Sequence, residues 1–562
     1  MHERPWLKNY PVRWNLNYPE ISLYEFLQEA TTEYPERVAL IFMGSEVTYK
    51  EMQQNIDRTA NALAGLGVSK GDRVALMLPN CPQYVYSYYA CMKLGAIVVQ
   101  LNPLYTSNEV EFVLNDSGAK VIVAVDTVFG SFHAVRHKVA VEHAIVARML
   151  WTEVEGENLF FDDLLQQTLP QVEHAKINPR EDLAVFQYTG GTTGFPKAVM
   201  LSHFNLTSNV IQIREWITPY FKHRNDINDL EGDWWSLENR RKYRNKVTPT
   251  HSISLLPYFH SYGMTSLMNG GLTMPSTQVL LPRLDIDALL ALIKQYKPST
   301  LPAIPTIYVA MANHPEAENS NLDCIDICNS GAAPMPVEVM EHFEKRTGAK
   351  VLEGYGLSEA SPVTHSNPFV GKRKPGSVGF PYPDTDCRIV DIETGARDMA
   401  PGEEGELIIK GPQVMQGYWN RPEETAQTLR DGWLYTGDIA KMDEEGYFYI
   451  VDRKKDMVIT GGYNVYPREV DEVLFEHPKV LEAVAAGIPD NYYGEVLKAY
   501  IVLKNGETAT AEEILDHCRT KLARYKVPRQ IEFRKELPKS AIGKILRRVL
   551  VDEERQKGSA GA

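Results

Sequence analysis

Residues 188–197 read YTGGTTGFPK, with three glycines, three threonines and one lysine between an apolar stretch (183–186) and a helix-like one (200–216). Glycine lets the backbone take positive φ and approach a ligand closely. Successive exposed N–H groups then make a concavity for anions. The hydroxyls of Thr189, Thr192 and Thr193 add donors, and Lys197 adds a point charge suited to phosphate. The chemistry implied is phosphate binding by a loop built on Gly190, Gly191 and Gly194. It is not that of the Walker P-loop: Lys197 follows Pro196 rather than glycine, and Ala198 stands where that motif needs a magnesium-binding hydroxyl.

The elements that must position this loop are set by the pattern around it. Between about 180 and 360, short apolar runs alternate with helical patterns, which predicts a largely parallel sheet covered on both faces. Ligands of such sheets lie at the carboxyl ends of the strands. The polar turns 189–197, 330–333 and 354–359 then share one edge and one site. After about 375, short strands with glycine turns predict a β-rich subdomain. From about 455 a small α+β unit begins: a helix over 467–476, strands over 483–486, 499–503 and 530–533, and a helix opened by Thr510 with Glu513 three residues on. A final helix over 545–554 precedes a tail, 558–562, expected to be disordered. The fold class expected is α/β. A large N-terminal domain (1–453) carries parallel-rich sheets, helices and the β-rich subdomain, and a small mobile α+β domain (454–562) completes the chain.

Composition narrows the class. A chain of 562 residues exceeds one core. No apolar run reaches the roughly 20 residues that span a bilayer; 88–101 is too short and contains Lys93. The N-terminus lacks an apolar signal core, so a cytoplasmic protein is expected, with contact at the inner membrane face and pairing into a homodimer left open. A net charge of −14 argues against nucleic acid as a partner. Six cysteines are too few for a disulfide framework. Cys324 and Cys328 fall in what reads as a buried strand and are taken as core rather than metal ligands. The charged segment 217–247 reads as a surface insertion, with Trp234 and Trp235 packed on the domain.

Five further segments occur in order: SGAAP (330–334), GYGLSEA (354–360), YTGD (435–438), DRKKDMVITGGYNVYP (452–467) and PKSAIGK (538–544). With the phosphate loop they resemble, across nearly the whole chain, the adenylate-forming enzymes: acyl-CoA synthetases, peptide-synthetase adenylation domains and beetle luciferases. The branch most resembled is that of bacterial long-chain fatty-acyl-CoA synthetases. The resemblance implies that a carboxylate attacks the α-phosphorus of ATP, giving acyl-AMP and pyrophosphate, and that CoA thiol then takes the acyl group.

It also implies roles. Thr189 to Lys197 would hold the β- and γ-phosphates, and Glu359, with Thr189 nearby, would hold Mg2+. Asp438 and Arg453 would grip the ribose. Tyr355 and the backbone of Gly331, Ala332 and Ala333 would sandwich adenine, with Gly354, Gly356 and Ser358 in the adjoining turn. Lys544 would bridge carboxylate and α-phosphate in the first step. His260 would stand beside the reacting groups and, with Gly331 and Gly356, border the acyl pocket. At the position of Gly356, acetyl-specific relatives carry a tryptophan that blocks the pocket. Lys455 would be the hinge about which the C-terminal domain rotates, and Gly461 and Gly462 would line the CoA channel. Two related activities remain open: loading the acyl group onto a carrier protein, and activation of medium-chain or aryl acids. A luciferase-like oxygenase shares these motifs. A non-catalytic acyl-binding protein would be expected to lack Lys544, Glu359 or the glycine loop, and all are present.

Overall fold

A computed structural model describes residues 4–154, 156, 158–189, 196–227, 229, 237–243, 250–320, 322–460, 463–490, 492–540 and 543–560. Among them five sheets carry the architecture. The largest has eight strands. Leu183–Thr189, Ile97–Gln100, Arg73–Met77, Val121–Val125, His143–Ala147 and Leu159–Phe160 run parallel in it. Most of these strands are continuous runs rich in Val, Ile, Leu and Ala, as parallel strands covered on both faces require. The helix Pro82–Leu94, buried from Tyr84 to Leu94, supplies part of that cover. It accounts, with the buried strand Ile97–Gln100, for the apolar run at 88–101. Among the described residues no helix is long and apolar enough to cross a membrane.

The single shared sheet edge expected over 180–360 is not what forms. The strand–turn–helix units of that stretch distribute over three sheets. Leu183–Thr189 joins the eight-stranded sheet, His251–Ser254 a four-stranded one, and Thr300–Ala303, Ile327–Ser330 and Lys350–Gly356 the parallel part of a five-stranded one. The polar turns converge because sheets meet, not because neighbours in one sheet end together. Periodicity gives each strand its type but not its partner.

The β-rich subdomain is a sheet of Asp386–Val390, Gly405–Lys410, Trp433–Met442, Leu429–Arg430 and Phe448–Arg453. The α+β unit begins with the strand Val458–Thr460. It closes on the long antiparallel pair Val480–Asp490 and Gly494–Leu503, with Gln530–Phe533 added in parallel. Its last helix, Arg547–Ala560, runs through 558–560, where a disordered tail was expected. Two other readings change. Residues 217–224 are not insertion but the end of the helix His203–Arg224, where Thr218 and Tyr220 are buried; Trp234 and Trp235 lie outside the described residues. The strand expected through Cys324 starts only at Ile327, after a short 3-10 turn.

Candidate active site

One cavity of about 1340 Å³ reaches all three polar turns and the C-terminal domain. Thr189, Lys197, His260, Gly331, Ala332, Ala333, Gly354, Tyr355, Gly356, Ser358, Glu359, Asp438, Arg453, Lys455 and Lys544 all line it. Gly190, Gly191, Thr192, Thr193, Gly194, Gly461 and Gly462 lie outside the described residues.

The helix expected from 200 forms, but it begins three residues later, after a strand. Lys197–Ser202 is a strand and pairs antiparallel with Leu183–Thr189, Thr189 opposite Lys197. The helix starts only at His203, after Ser202, whose capping box with Asn205 fixes its first turn. Residues 198–201 are apolar on both faces, Val199 and Leu201 in one core and Ala198 in another, which suits a covered strand.

Lys197 has a partner already. Its Nζ lies 2.6 Å from Glu424 Oε2 and 5.3 Å from the centre of the Tyr418 ring. The Tyr418 hydroxyl donates to Glu359 Oε1 at 2.9 Å. One tyrosine therefore orients both the lysine and the glutamate. Neither Tyr418 nor Glu424 carries a spacing signal; each comes in through the short strand Gly417–Tyr418, which pairs with Val199 and Met200, and the helix Pro422–Thr428 behind it. With Oε1 taken by Tyr418, Glu359 keeps its second oxygen for a cation. Among the described residues no cluster of three or more His, Cys, Asp or Glu could hold a metal. A lone carboxylate with a threonine at a phosphate site is the donor set that suits Mg2+, which keeps waters and takes phosphate oxygens.

Asp438 lies in the strand Trp433–Met442 opposite Arg453. It accepts the Tyr355 hydroxyl at 2.5 Å, and Arg453 Nε stands 3.5 Å from its other oxygen. Burial raises its pKa, and Arg453 and Tyr355 oppose the rise. Those partners favour its ionised form. The Tyr355–Asp438 bond spans 83 positions and no sequence pattern announces it.

Lys544 reaches the cavity on a loop that packs directly on the N-terminal domain. A Cβ on Gly543 would lie 2.7 Å from Ile304 Cδ1 and 3.0 Å from Thr306 Oγ1, and its φ of +81° is what favours glycine there. Desolvation, with Arg453 nearby, lowers the Lys544 pKa to about 8. His260 is driven to about 4 by burial and by Lys544 and is neutral at pH 7. The backbone N–H of Tyr262 donates to its Nδ1 at 3.3 Å, which leaves the ring proton on Nε2 as a donor for an anionic oxygen. Ser261 Oγ and Ser358 Oγ, 3.2 Å apart, tie this turn to the 354–359 turn.

Gly356 borders the cavity, but a Cβ there would sit 2.2 Å from the Pro362 carbonyl oxygen. A side chain at 356 is thus aimed at the following backbone. A tryptophan in its place must displace Pro362–Val363, and the simple plug suggested by acetyl-specific enzymes does not carry over to this backbone. At Gly331 a Cβ would press on the Tyr262 ring, at 3.0–3.4 Å.

The model of the AMP-binding enzyme family matches residues 27–419, and that of the AMP-binding enzyme C-terminal domain matches 469–544. The chain belongs to the AMP-binding enzymes. It is 44% identical to a long-chain-fatty-acid–CoA ligase of Bacillus subtilis over 98% of both chains. Among solved structures it is similar to an anthranilate CoA ligase in complex with anthranoyl-AMP (TM-score 0.84, 27% identity, 96% of this chain and 99% of that one). ATP-bound MatB from Rhodopseudomonas palustris gives a TM-score of 0.82 at 29% identity over 95% and 98% of the chains. Apo MatB, at the same identity and coverage, gives 0.71. The arrangement of this AMP-binding enzyme is nearer the nucleotide-bound form of that relative than its apo form.

Proposed function

We propose that this enzyme is a long-chain fatty acid–CoA ligase working in two steps at this cavity. In the first, a carboxylate oxygen of the fatty acid bonds to the α-phosphorus of ATP and the bond to pyrophosphate breaks. In the second, the CoA sulfur bonds to the acyl carbon, AMP leaves, and the thiol proton is released. The observation that carries the reading is Lys544, held by a separate domain, in one cavity with Asp438, His260 and Glu359. Apolar side chains, among them Ile213, Ile217, Phe221, Leu267 and Met274, also line this cavity. A nucleotide end and a hydrocarbon end in continuity are what an acyl-adenylate requires.

The residues divide the work. Lys544 offsets the charge that grows between carboxylate and phosphate, which is where preorganised charge acts best. His260 Nε2 donates to an oxygen of the same centre. Asp438, fixed by Tyr355 and Arg453, holds the ribose. Thr189 and Lys197 take the terminal phosphates, for which Lys197 must leave Glu424. Glu359 and Thr189 would hold Mg2+, which when bound neutralises phosphate charge. Lys455 lies in the turn between Phe448–Arg453, the last strand of the β-rich sheet, and Val458–Thr460, the first of the C-terminal sheet. We place the domain boundary at 453/454 and the hinge at Lys455. Rotation there would withdraw Lys544 and bring the loop of Gly461 and Gly462 to the site for CoA.

The test is ATP–pyrophosphate exchange across fatty-acid chain lengths, repeated with CoA while thioester and AMP are followed. Exchange driven by long-chain acids, with acyl-CoA formed once CoA is added, is the expected result. Exchange without CoA turnover, but with transfer to a carrier protein, would select the carrier-loading alternative. Lys544 also sets an expected pH profile. Its ammonium is present below about 8 and is lost as pH rises through that value. The kcat/KM of exchange, which reports the free enzyme, should fall above about pH 8. In Lys544→Arg that alkaline fall should vanish whatever the absolute rate. His260, neutral down to about 4, should add no acid limb above about pH 5.

A further inference from the structure

Arg547, three residues beyond Lys544, takes no part in either half-reaction as assigned, yet it sits among three carboxylates. Its Nη2 donates to Asp471 Oδ2 at 2.7 Å, and its Nη1 lies 3.4 Å from Asp456 Oδ2 and 3.7 Å from Asp452 Oδ1. The guanidinium is one-fifth exposed, and Asp452 only 5%. These carboxylates do not belong to one body. Asp471 is on the helix Pro467–Phe475 of the C-terminal domain and Asp456 follows Lys455. Asp452 precedes Lys455, in the strand Phe448–Arg453 of the N-terminal side.

Asp452 is the focus of a second contact across the same point. Its Oδ2 accepts the backbone N–H of Arg468 at 2.9 Å, while the Arg468 guanidinium donates to the Ile450 carbonyl. Two arginines of the C-terminal domain thus grip residues 450–452, and both contacts cross Lys455. A turn of the backbone at Lys455 carries Asp456 and Asp471 along with Arg547 but leaves Asp452 behind. The clasp on Asp452 belongs to the orientation that delivers Lys544.

We propose that Arg547 and Asp452 form an orientation clasp that seats Lys544 for the first half-reaction and opens for the second, which makes Arg547 a positioning residue. The inference rests on the two-step reading. Lys544 is then held from both sides: Gly543 rests on Ile304 and Thr306, and the first turn of the final helix is pinned to the hinge strand. Without the second anchor the loop remains attached to its domain, but the ammonium is no longer fixed relative to the phosphate. A misplacement of about 1 Å costs catalysis on the order of 10²-fold.

The experiment measures both half-reactions in the full-length enzyme: palmitate-dependent ATP–pyrophosphate exchange, and palmitoyl-CoA formation from supplied palmitoyl-AMP. Arg547→Gln should lower exchange by roughly 10- to 100-fold and leave the second half-reaction within about twofold of wild type. Arg547→Lys should recover part of the loss. Asp452→Asn, made on the other side of the hinge and outside the C-terminal core, should show the same split. Equal losses in both half-reactions for Arg547→Gln and Asp452→Asn, or no loss in either, overturn the clasp. Wild-type protein without palmitate-dependent exchange overturns the two-step reading itself, so the two failures are distinct.

Discussion

Lys544→Ala should lower fatty-acid-dependent ATP–pyrophosphate exchange by at least about 10²-fold, the scale for removing one well-placed electrostatic group from a reacting centre. That corresponds to about 2.7 kcal/mol of lost transition-state stabilisation. Thioester formation from supplied acyl-adenylate should change little, because in that step the acyl phosphate already exists and the lysine has turned away. The structure adds a reason for the size of the effect. Lys544 is desolvated enough to bring its pKa to about 8, and a charge stripped of water interacts more strongly with the phosphate it meets. Water that fills the space left by alanine cannot reproduce a fixed ammonium. Matching losses in the two half-reactions would remove Lys544 from the first.

Asp438→Ala is expected to be comparably severe but through a different constant. Truncating one member of a buried, hydrogen-bonded charge cluster costs about 2–5 kcal/mol, partly because the partners are left unpaired. Here the abandoned partners are the Tyr355 hydroxyl and the Arg453 guanidinium. The kcat/KM for ATP should fall by roughly 30-fold or more, carried largely by KM, with the KM for fatty acid near wild type. Tyr355→Phe keeps the ring and loses only the hydroxyl, so it should cost about tenfold or less. Steady-state kinetics with each substrate varied in turn separates these outcomes. An unchanged KM for ATP in Asp438→Ala would place the ribose elsewhere.

The sequence is legible wherever the signal is local. The strand Gln530–Phe533 forms over the residues that alternation and flanking turns predict, and Thr510 caps its helix through the Glu513 N–H. Glu513 itself does not close the capping box; its carboxylate is drawn off to Lys479 at 2.7 Å. The candidate residues quoted from motifs and described in the structure line one cavity; most of these motifs end a strand or open a turn, while Asp438 faces it from within the strand Trp433–Met442. Partnership across long separations could not be read. Tyr418 reaches Glu359 over 59 positions, and Lys197 meets Glu424 from the helix beyond a neighbouring strand. The three-residue difference in where the helix after the phosphate loop begins has the same origin. KAVMLS is compatible with either state, and it becomes a strand because Leu183–Thr189 offers an open edge beside it.

That strand alters how the enzyme lets go. In a P-loop the triphosphate rests on the first turn of a helix, whose dipole adds a standing attraction. Here Leu183–Thr189 and Lys197–Ser202 pair antiparallel, and among the described residues the next helix begins beyond them, at His203. On the proposed reading, Thr189 and Lys197 would then hold pyrophosphate without that standing attraction, the lysine sharing its charge with Glu424. A cradle of that kind would discharge its by-product readily, and easy discharge of pyrophosphate would keep the acyl-adenylate from running backward to ATP before the thiol arrives.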